Sequence, residues 1–211
     1  ESLSKRPMER IVTPLSRMGL DIKSNNGKLP ISIKNSRIKG IDYKNTISSA
    51  QVKSTVLFCG LGAADTTSYY EPIKSRNHTE IMLENVGVDI EHNNGKIILR
   101  NSDSLIKGLD ITIPGDPSTA SFFAAAALIL PKSELILKNI LANPTRFGFF
   151  DAVDRMGANI EYLSSWKESG EEVKNIKIKN GTLNAIKIDH MHIPGLIDEI
   201  PILSIVASQA D

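Results

Sequence analysis

Three stretches of this 211-residue chain set polar groups directly ahead of strongly apolar runs. Ser48, Ser49, Gln51, Lys53 and Ser54 lead into "TVLFCGLG"; Asp116, Ser118 and Thr119 lead into "ASFFAAAALIL"; Asp198 and Glu199 lead into "IPILSIVAS". If each apolar run is a buried helix, its first N–H groups need acceptors, and serine, threonine or aspartate caps supply them at about 1 kcal/mol each. Capping alone accounts for the second stretch, where Pro117 also suits a first helical turn. The first stretch holds more polar groups than one cap needs. A helix N-terminus with hydroxyls and a lysine nearby can also cradle an anion such as a phosphate. The helix dipole contributes only ~0.3–2 kcal/mol, so further cations are required. Arg76 and Arg146 qualify by position, each eleven residues ahead of a recurring glycine, with a solvated surface arginine as the alternative for both. In the third stretch the two acids can cap the helix or transfer a proton. His190 and His192, two apart on an expected strand, lack a third ligand at suitable spacing, so no metal site is expected.

The elements that must carry these groups recur. "LSRMGLDI", "LENVGVDI" and "VDRMGANI" align on Gly19, Gly87 and Gly157, spaced by 68 and 70 residues. Apolar residues one and four positions before each glycine mark one helix face, and the glycine marks a left-handed C-cap. Pro14 predicts a kink or an early break in the first of these helices. Alternating strands follow at "PISIKN", "IILRN" and "IKIKN", then at "IKGIDY", "IKGLDI" and "LNAIKI". The third copy carries an insertion, "LSSWKESGEE", which reads as an exposed loop. The apolar helices close each unit and are expected to be buried on most sides under a sheet. The fold class is therefore α+β, with repeated units, sheets outside and helices inside.

Composition narrows the function. The net charge is +1 with no basic stripe, which disfavours a nucleic-acid binder. The longest apolar run, "FFAAAALIL", is shorter than the roughly 20 residues of a membrane span. Cys59, the single cysteine, sits in an apolar run and reads as a small core residue in a reducing compartment. The chain begins at Glu1 and stops within an apolar segment, so a piece of a longer protein is expected.

The blocks "ESLSKRPMERIVTPLSRMG", "SSAQVKSTVLFCGLGA", "EPIKSRNHTEIML", "PGDPSTASFFAAAALILP", "NPTRFGFFDAVDRMGANI" and "LIDEIPILSIVAS" resemble, in order, the 5-enolpyruvylshikimate-3-phosphate synthase family. The wording is most similar to its glyphosate-tolerant bacterial subgroup. The resemblance implies two lobes of βαβαββ units in an inside-out α/β barrel, here incomplete, with residues 1–113 forming most of the first lobe and 114–211 the start of the second. "PGDPSTAS" would then be the crossing between lobes. It implies transfer of the enolpyruvyl group of phosphoenolpyruvate to the 5-hydroxyl of shikimate 3-phosphate, releasing phosphate, with no metal and no cofactor. Ser49, Ala50 and Gln51 resemble the shikimate-phosphate clamp, Arg76 a further contact to it, and Asp198 the aspartate that holds the shikimate hydroxyls and accepts the 5-hydroxyl proton. The family's N-terminal Lys-Ser motif, its Gly-rich segment with a phosphoenolpyruvate-binding arginine, its later Lys-Glu motif and two downstream arginines have no match here. This chain alone is therefore expected not to turn over. A cytoplasmic enzyme, monomeric when complete, with no membrane or nucleic-acid partner, completes the expectation. The rivals are the related transferase acting on UDP-N-acetylglucosamine and a non-catalytic repeat scaffold.

Overall fold

The computed structural model describes residues 2–100 and 106–211. The chain divides into two compact units between Gly108 and Leu109. The first holds helix α1 (Glu9–Arg17), strands β1 (Asp21–Asn25), β2 (Lys28–Lys34) and β3 (Asp42–Lys44), helix α2 (Ala50–Gly60), strand β4 (Thr67–Tyr70), helix α3 (His78–Asn85) and strands β5 (Asp89–Asn93) and β6 (Lys96–Arg100). The second holds α4 (Pro117–Ile129), β7 (Glu134–Leu141), α5 (Gly148–Arg155), β8 (Asn159–Glu168), β9 (Glu171–Lys179), a 3-10 turn (His190–Gly195) and α6 (Ile200–Ala207).

The recurring glycines end helices as their spacing predicts. Gly19, Gly87 and Gly157 have φ of 95°, 90° and 83°, a region that a side chain disfavours. Around each, the two residues after the cap donate back into the helix: Gly19 to Ser16 and Leu20 to Leu15, Gly87 to Glu84 and Val88 to Leu83, Gly157 to Asp154 and Ala158 to Val153. This is the Schellman pattern, which satisfies the last carbonyls of a helix. Each cap carbonyl then accepts a bond from a later segment: Met18 from Lys39, Val86 from Lys107, Met156 from Asn184. The apolar pairs before the glycines, Leu15 with Met18, Leu83 with Val86 and Val153 with Met156, are all buried. Pro14 does not end α1, which continues to Arg17.

Both units use one sheet plan. In the first, β3 runs parallel to β4, which pairs antiparallel with β6, and β6 with β5. In the second, Gly115 bridges in parallel to Ile140 of β7, which pairs antiparallel with β9, and β9 with β8. The hairpins β1–β2, β5–β6 and β8–β9 turn on Asn26-Gly27, Asn94-Gly95 and Ser169-Gly170. Both residues of each pair have positive φ, which suits the right-handed twist of the strands.

Four expectations change. "LSSWKESGEE" is not a loop: Leu163–Glu168 extend β8 and Glu171 and Glu172 begin β9, with Trp166 opposite Val173. The alternating runs "IKGLDI" and "LNAIKI" form no strand among the described residues, because alternation without a ladder partner does not make one. Pairing in the second copy is a single bridge at Gly115, and Ile113, before it, is 80% exposed. In the third copy Leu183 and Ala185 bracket Asp211 with two backbone bonds only. His190 and His192 lie in the 3-10 turn rather than on a strand. Finally, α4 and α6 are covered on one face, leaving Phe122, Phe123 and Ile205 exposed, whereas α2 is buried or half-buried except at Gln51 and Phe58. A sheet and one or two helices do not enclose a helix.

Each unit has its own core. In the first, Val12 and Leu15 of α1 and Met18 at its C-cap meet Val52, Val56 and Leu57 of α2 over Tyr69, Ile97 and Leu99. In the second, Ala120, Ala124, Ala127 and Leu128 of α4 meet Phe150 and Val153 of α5, Leu203 and Val206 of α6, and Ile176 and Ile178. Burying each large side chain is worth roughly 1.5–3 kcal/mol. Cys59 is half-buried against the first core rather than within it, and burial raises its thiol pKa. No helix among the described residues is long and apolar enough to cross a membrane.

Candidate functional site

At the start of α2, Ser49 is the N-cap, with extended backbone and its hydroxyl accepting from the Val52 N–H at 3.4 Å. Its carbonyl accepts the Tyr69 hydroxyl at 3.4 Å, and that hydroxyl accepts from Asn45 Nδ2 at 2.8 Å. Burial pushes the Tyr69 hydroxyl up to about 12, so it stays a donor at neutral pH and holds the Ser49 peptide. Ala50 is the first residue of the helix, and the Gln51 side chain is exposed. Arg76, half-buried, lies two residues ahead of α3 in the segment that returns along α2.

Lys53 and the surplus serines do not line an anion cradle. Lys53 is 0% exposed and turned inward. Its Nζ lies 2.9 Å from Glu71 Oε1 and 2.8 Å from Glu80 Oε1, and donates to the Ser75 carbonyl at 3.3 Å. Glu71 also accepts the Ser75 N–H at 2.8 Å and the Ser75 hydroxyl at 2.7 Å. Glu80 meets the ammonium as an ion pair without a directed hydrogen bond to either oxygen among the described residues. Ser48 bonds the Ile73 carbonyl through its hydroxyl and accepts the Ile73 N–H at 3.1 Å; Ser54 shares a 2.6 Å bond with Thr79. The polar excess of this helix start therefore secures residues 71–80. A buried charge needs such partners, since desolvating an isolated ion costs far more than a helix contributes. Glu71 and Glu80 also line a cavity of about 270 Å³ together with Lys74 and Lys96, and Lys96 pairs there with Asp42 at 3.0 Å.

In the second unit Asp116 caps α4, accepting the Thr119 N–H at 2.9 Å and the Thr119 hydroxyl at 2.8 Å. Arg146 reaches that cap, with Nη2 at 2.7 Å from Asp116 Oδ1 and 2.6 Å from Ser118 Oγ. Partial burial pushes the Asp116 carboxyl up, but the Thr119 bonds and the Arg146 charge outweigh it and hold the group below its usual range. Ser118 also donates to Glu199 Oε1. Glu199 stands at the N-cap position of α6, is 4% exposed and makes no side-chain cap bond. Asp198, beside it, is exposed. The two acids thus differ: Glu199 is structural, and Asp198 faces solvent.

Of the residues singled out from sequence, Ser49, Ala50, Gln51 and Arg76 fall in the first unit and Asp198 in the second. Sequence reasoning missed Glu71, Ser75 and Glu80, although "EPIKSRNHTE" offers two carboxylates to a lysine that shares its helix face with Val56 and Leu57. It also missed the Arg146–Ser118–Glu199 chain. Among the described residues no group of three or more His, Cys, Asp or Glu is placed to hold a metal ion.

Comparison with known proteins now bears on the site. The family model described as EPSP synthase (3-phosphoshikimate 1-carboxyvinyltransferase) matches residues 1–211. The chain is 46% identical over 212 residues to the 3-phosphoshikimate 1-carboxyvinyltransferase of Endomicrobium trichonymphae, covering 100% of this chain and 49% of that protein. It is 42% identical to that of Bacillus subtilis (strain 168), covering 100% of this chain and 50% of that one. The solved EPSP synthase of Acinetobacter baumannii superposes with a TM-score of 0.89 at 39% identity, covering 100% of this chain and 48% of that one. The enolpyruvyl transferase NikO of Streptomyces tendae, at 19% identity, TM-score 0.73 and coverage of 99% and 50%, shares the fold. The chain spans about half the length of the curated relatives it matches.

Proposed function

Because this chain belongs to the EPSP synthase (3-phosphoshikimate 1-carboxyvinyltransferase) family, we propose that it forms part of a transferase that moves the enolpyruvyl group of phosphoenolpyruvate to the 5-hydroxyl of shikimate 3-phosphate and releases phosphate. The observation that carries this reading is the family match over residues 1–211, together with the relatives above, which bear that activity in their names. The UDP-sugar transferase and the scaffold readings are not favoured by it.

Within this reading the first unit contributes to one lobe and the second to the other, joined through the segment that ends at the α4 cap. Ser49, Ala50 and Gln51 receive the phosphate of shikimate 3-phosphate at the α2 N-terminus, where N–H groups and the positive end of the helix dipole favour an anion. Arg76 adds a full charge and a two-pronged donor set. Asp198 holds the shikimate hydroxyls and takes the proton from the 5-hydroxyl as the new C–O bond forms. Its exposure fits a group that must meet a substrate. A cytoplasmic location and a monomeric full-length enzyme complete the proposal. Phosphoenolpyruvate is a compact, multiply charged anion, and its developing charge needs preorganised cations. The family motifs that supply them have no match here, so this chain by itself does not turn over.

In the full-length protein, Asp198→Ala is expected to lower turnover by roughly 10²–10⁴, measured by coupled phosphate release; an unchanged rate removes Asp198 from the chemistry. Calorimetric titration with shikimate 3-phosphate and with UDP-N-acetylglucosamine decides between the readings. Binding of the sugar nucleotide alone overturns this one.

A further inference from the structure

Arg76 directly follows a residue whose three hydrogen-bonding groups are all held from inside the protein. The Ser75 N–H and hydroxyl donate to the two oxygens of Glu71, at 2.8 and 2.7 Å, and its carbonyl accepts from Lys53 Nζ at 3.3 Å. Lys53 stands four residues after the Ser49 cap on α2, and Lys53, Glu71 and Glu80 are 0%, 4% and 1% exposed. One enclosed charge cluster therefore ties the turn that presents Arg76 to the first turns of the helix that presents Ser49 and Gln51. Ser48 to Ile73 and Ser54 to Thr79 fasten the same two segments on either side.

Stability does not account for the cluster. A buried ion pair is often matched or bettered by apolar side chains of the same volume, and the corresponding position of α4 is Ala120, buried in an apolar core. Two carboxylates facing one ammonium are a poorer bargain still. What the cluster provides that leucines would not is direction, because hydrogen bonds at set lengths restrain a backbone more narrowly than apolar contact does. A phosphate contact made by an arginine depends on where its backbone starts.

We propose that Lys53, with Glu71 and Glu80, is a positioning residue that locks the Ser75–Arg76 peptide in register with the α2 N-terminus, so that Ser49, Gln51 and Arg76 meet one phosphate together. The proposal rests on the reading of Arg76 as a phosphate contact. Lys53 touches no substrate; it acts through Ser75.

The test is a cycle of shikimate 3-phosphate affinities in the full-length protein. It compares the unaltered protein, Arg76→Ala, the charge-neutral triple Lys53→Met, Glu71→Gln and Glu80→Gln, and all four changes together. The triple leaves no buried charge and nearly conserves volume, and a thermal melt confirms that it folds. Arg76→Ala is expected to weaken binding about 10–100-fold and the triple about tenfold. The combination should be within about twofold of Arg76→Ala alone, since displacing an arginine adds nothing once it is gone. Losses that multiply, or a triple that binds normally, overturn the positioning role while leaving Arg76 in place. An Arg76→Ala protein that binds normally removes the phosphate reading and the positioning role with it. If the triple does not fold, Ser75→Ala, which deletes the hydroxyl bond alone, takes its place in the cycle. It should weaken binding about 2–5-fold, with the same failure to multiply as the deciding result.

Discussion

Helices α2 and α4 are the same element built with different chemistry. Each follows an oxygen-bearing N-cap, and each lies between two parallel-paired segments of its sheet. At the fifth position after the cap inclusive, α2 buries Lys53 among carboxylates and α4 buries Ala120 among apolar side chains. At the cap itself the contrast runs the other way: α2 has the neutral Ser49, whereas α4 has the charged Asp116, already engaged by Arg146. Polar material that one helix keeps inside, the other keeps at its rim. The repeat fixes where a helix starts and which way it runs; it leaves open whether that start is occupied by the protein's own carboxylate or offered to an outside anion.

The largest expected effect falls on the internal cluster. Lys53→Met alone leaves two buried carboxylates without their cation and should cost about 3–5 kcal/mol, read as a fall in Tm of more than about 10 °C. Ala120→Gly, at the matching place in α4, should cost about 1 kcal/mol; equal losses would erase the contrast. Next come the glycine caps. A Cβ at Gly19 would stand 2.9 Å from the Arg37 carbonyl, but at Gly157 it would meet the end of the Asn184 side chain at 3.3 Å. Both alanines pay roughly 1–2 kcal/mol for the left-handed backbone, and Gly19→Ala should pay measurably more in chemical denaturation.

A third test exchanges the caps. Ser49→Asp should keep α2 capped while weakening shikimate 3-phosphate binding about tenfold or more, through repulsion of the phosphate; titration that shows unchanged affinity would place the anion elsewhere. The smallest effect concerns pH. Asp116 is held below its usual range in the folded protein, so its contribution is present above the unfolded value of about 3.9 and is lost as pH falls through the lower folded value. Asp116→Asn should therefore cost less than about 1 kcal/mol at pH 7, since the pair is partly exposed. The difference should vanish in melts at the acid end, and a gap that persists there would show that charge is not its source.

Helix ends were legible in the sequence because their cause is local: Gly19, Gly87 and Gly157 each follow an apolar pair and each adopt positive φ. The α2 and α4 starts were legible for the same reason, through Ser49 and Asp116. Strands depend on partners that a sequence does not display. Residues 106–111 alternate as well as β2 does, yet among the described residues they join no ladder and form no strand. Conversely, the polar run around Trp166 reads as a loop, but Ser169-Gly170 folds it into a paired hairpin. The candidate site divides along the same line. Ser49 and Gln51 could be placed at a helix start, whereas the inward turn of Lys53 depends on Glu71 and Glu80 arriving from elsewhere in the chain.

The bonds from Lys39, Lys107 and Asn184 to the three cap carbonyls measure 2.8, 3.0 and 2.8 Å. Donor and acceptor are peptide groups, so the joint is blind to mutation at either residue, provided that neither becomes a proline at the donor. Three helices of different sequence are thus anchored by one and the same joint. Only the glycine beside it, held at positive φ in all three places, is restricted in type.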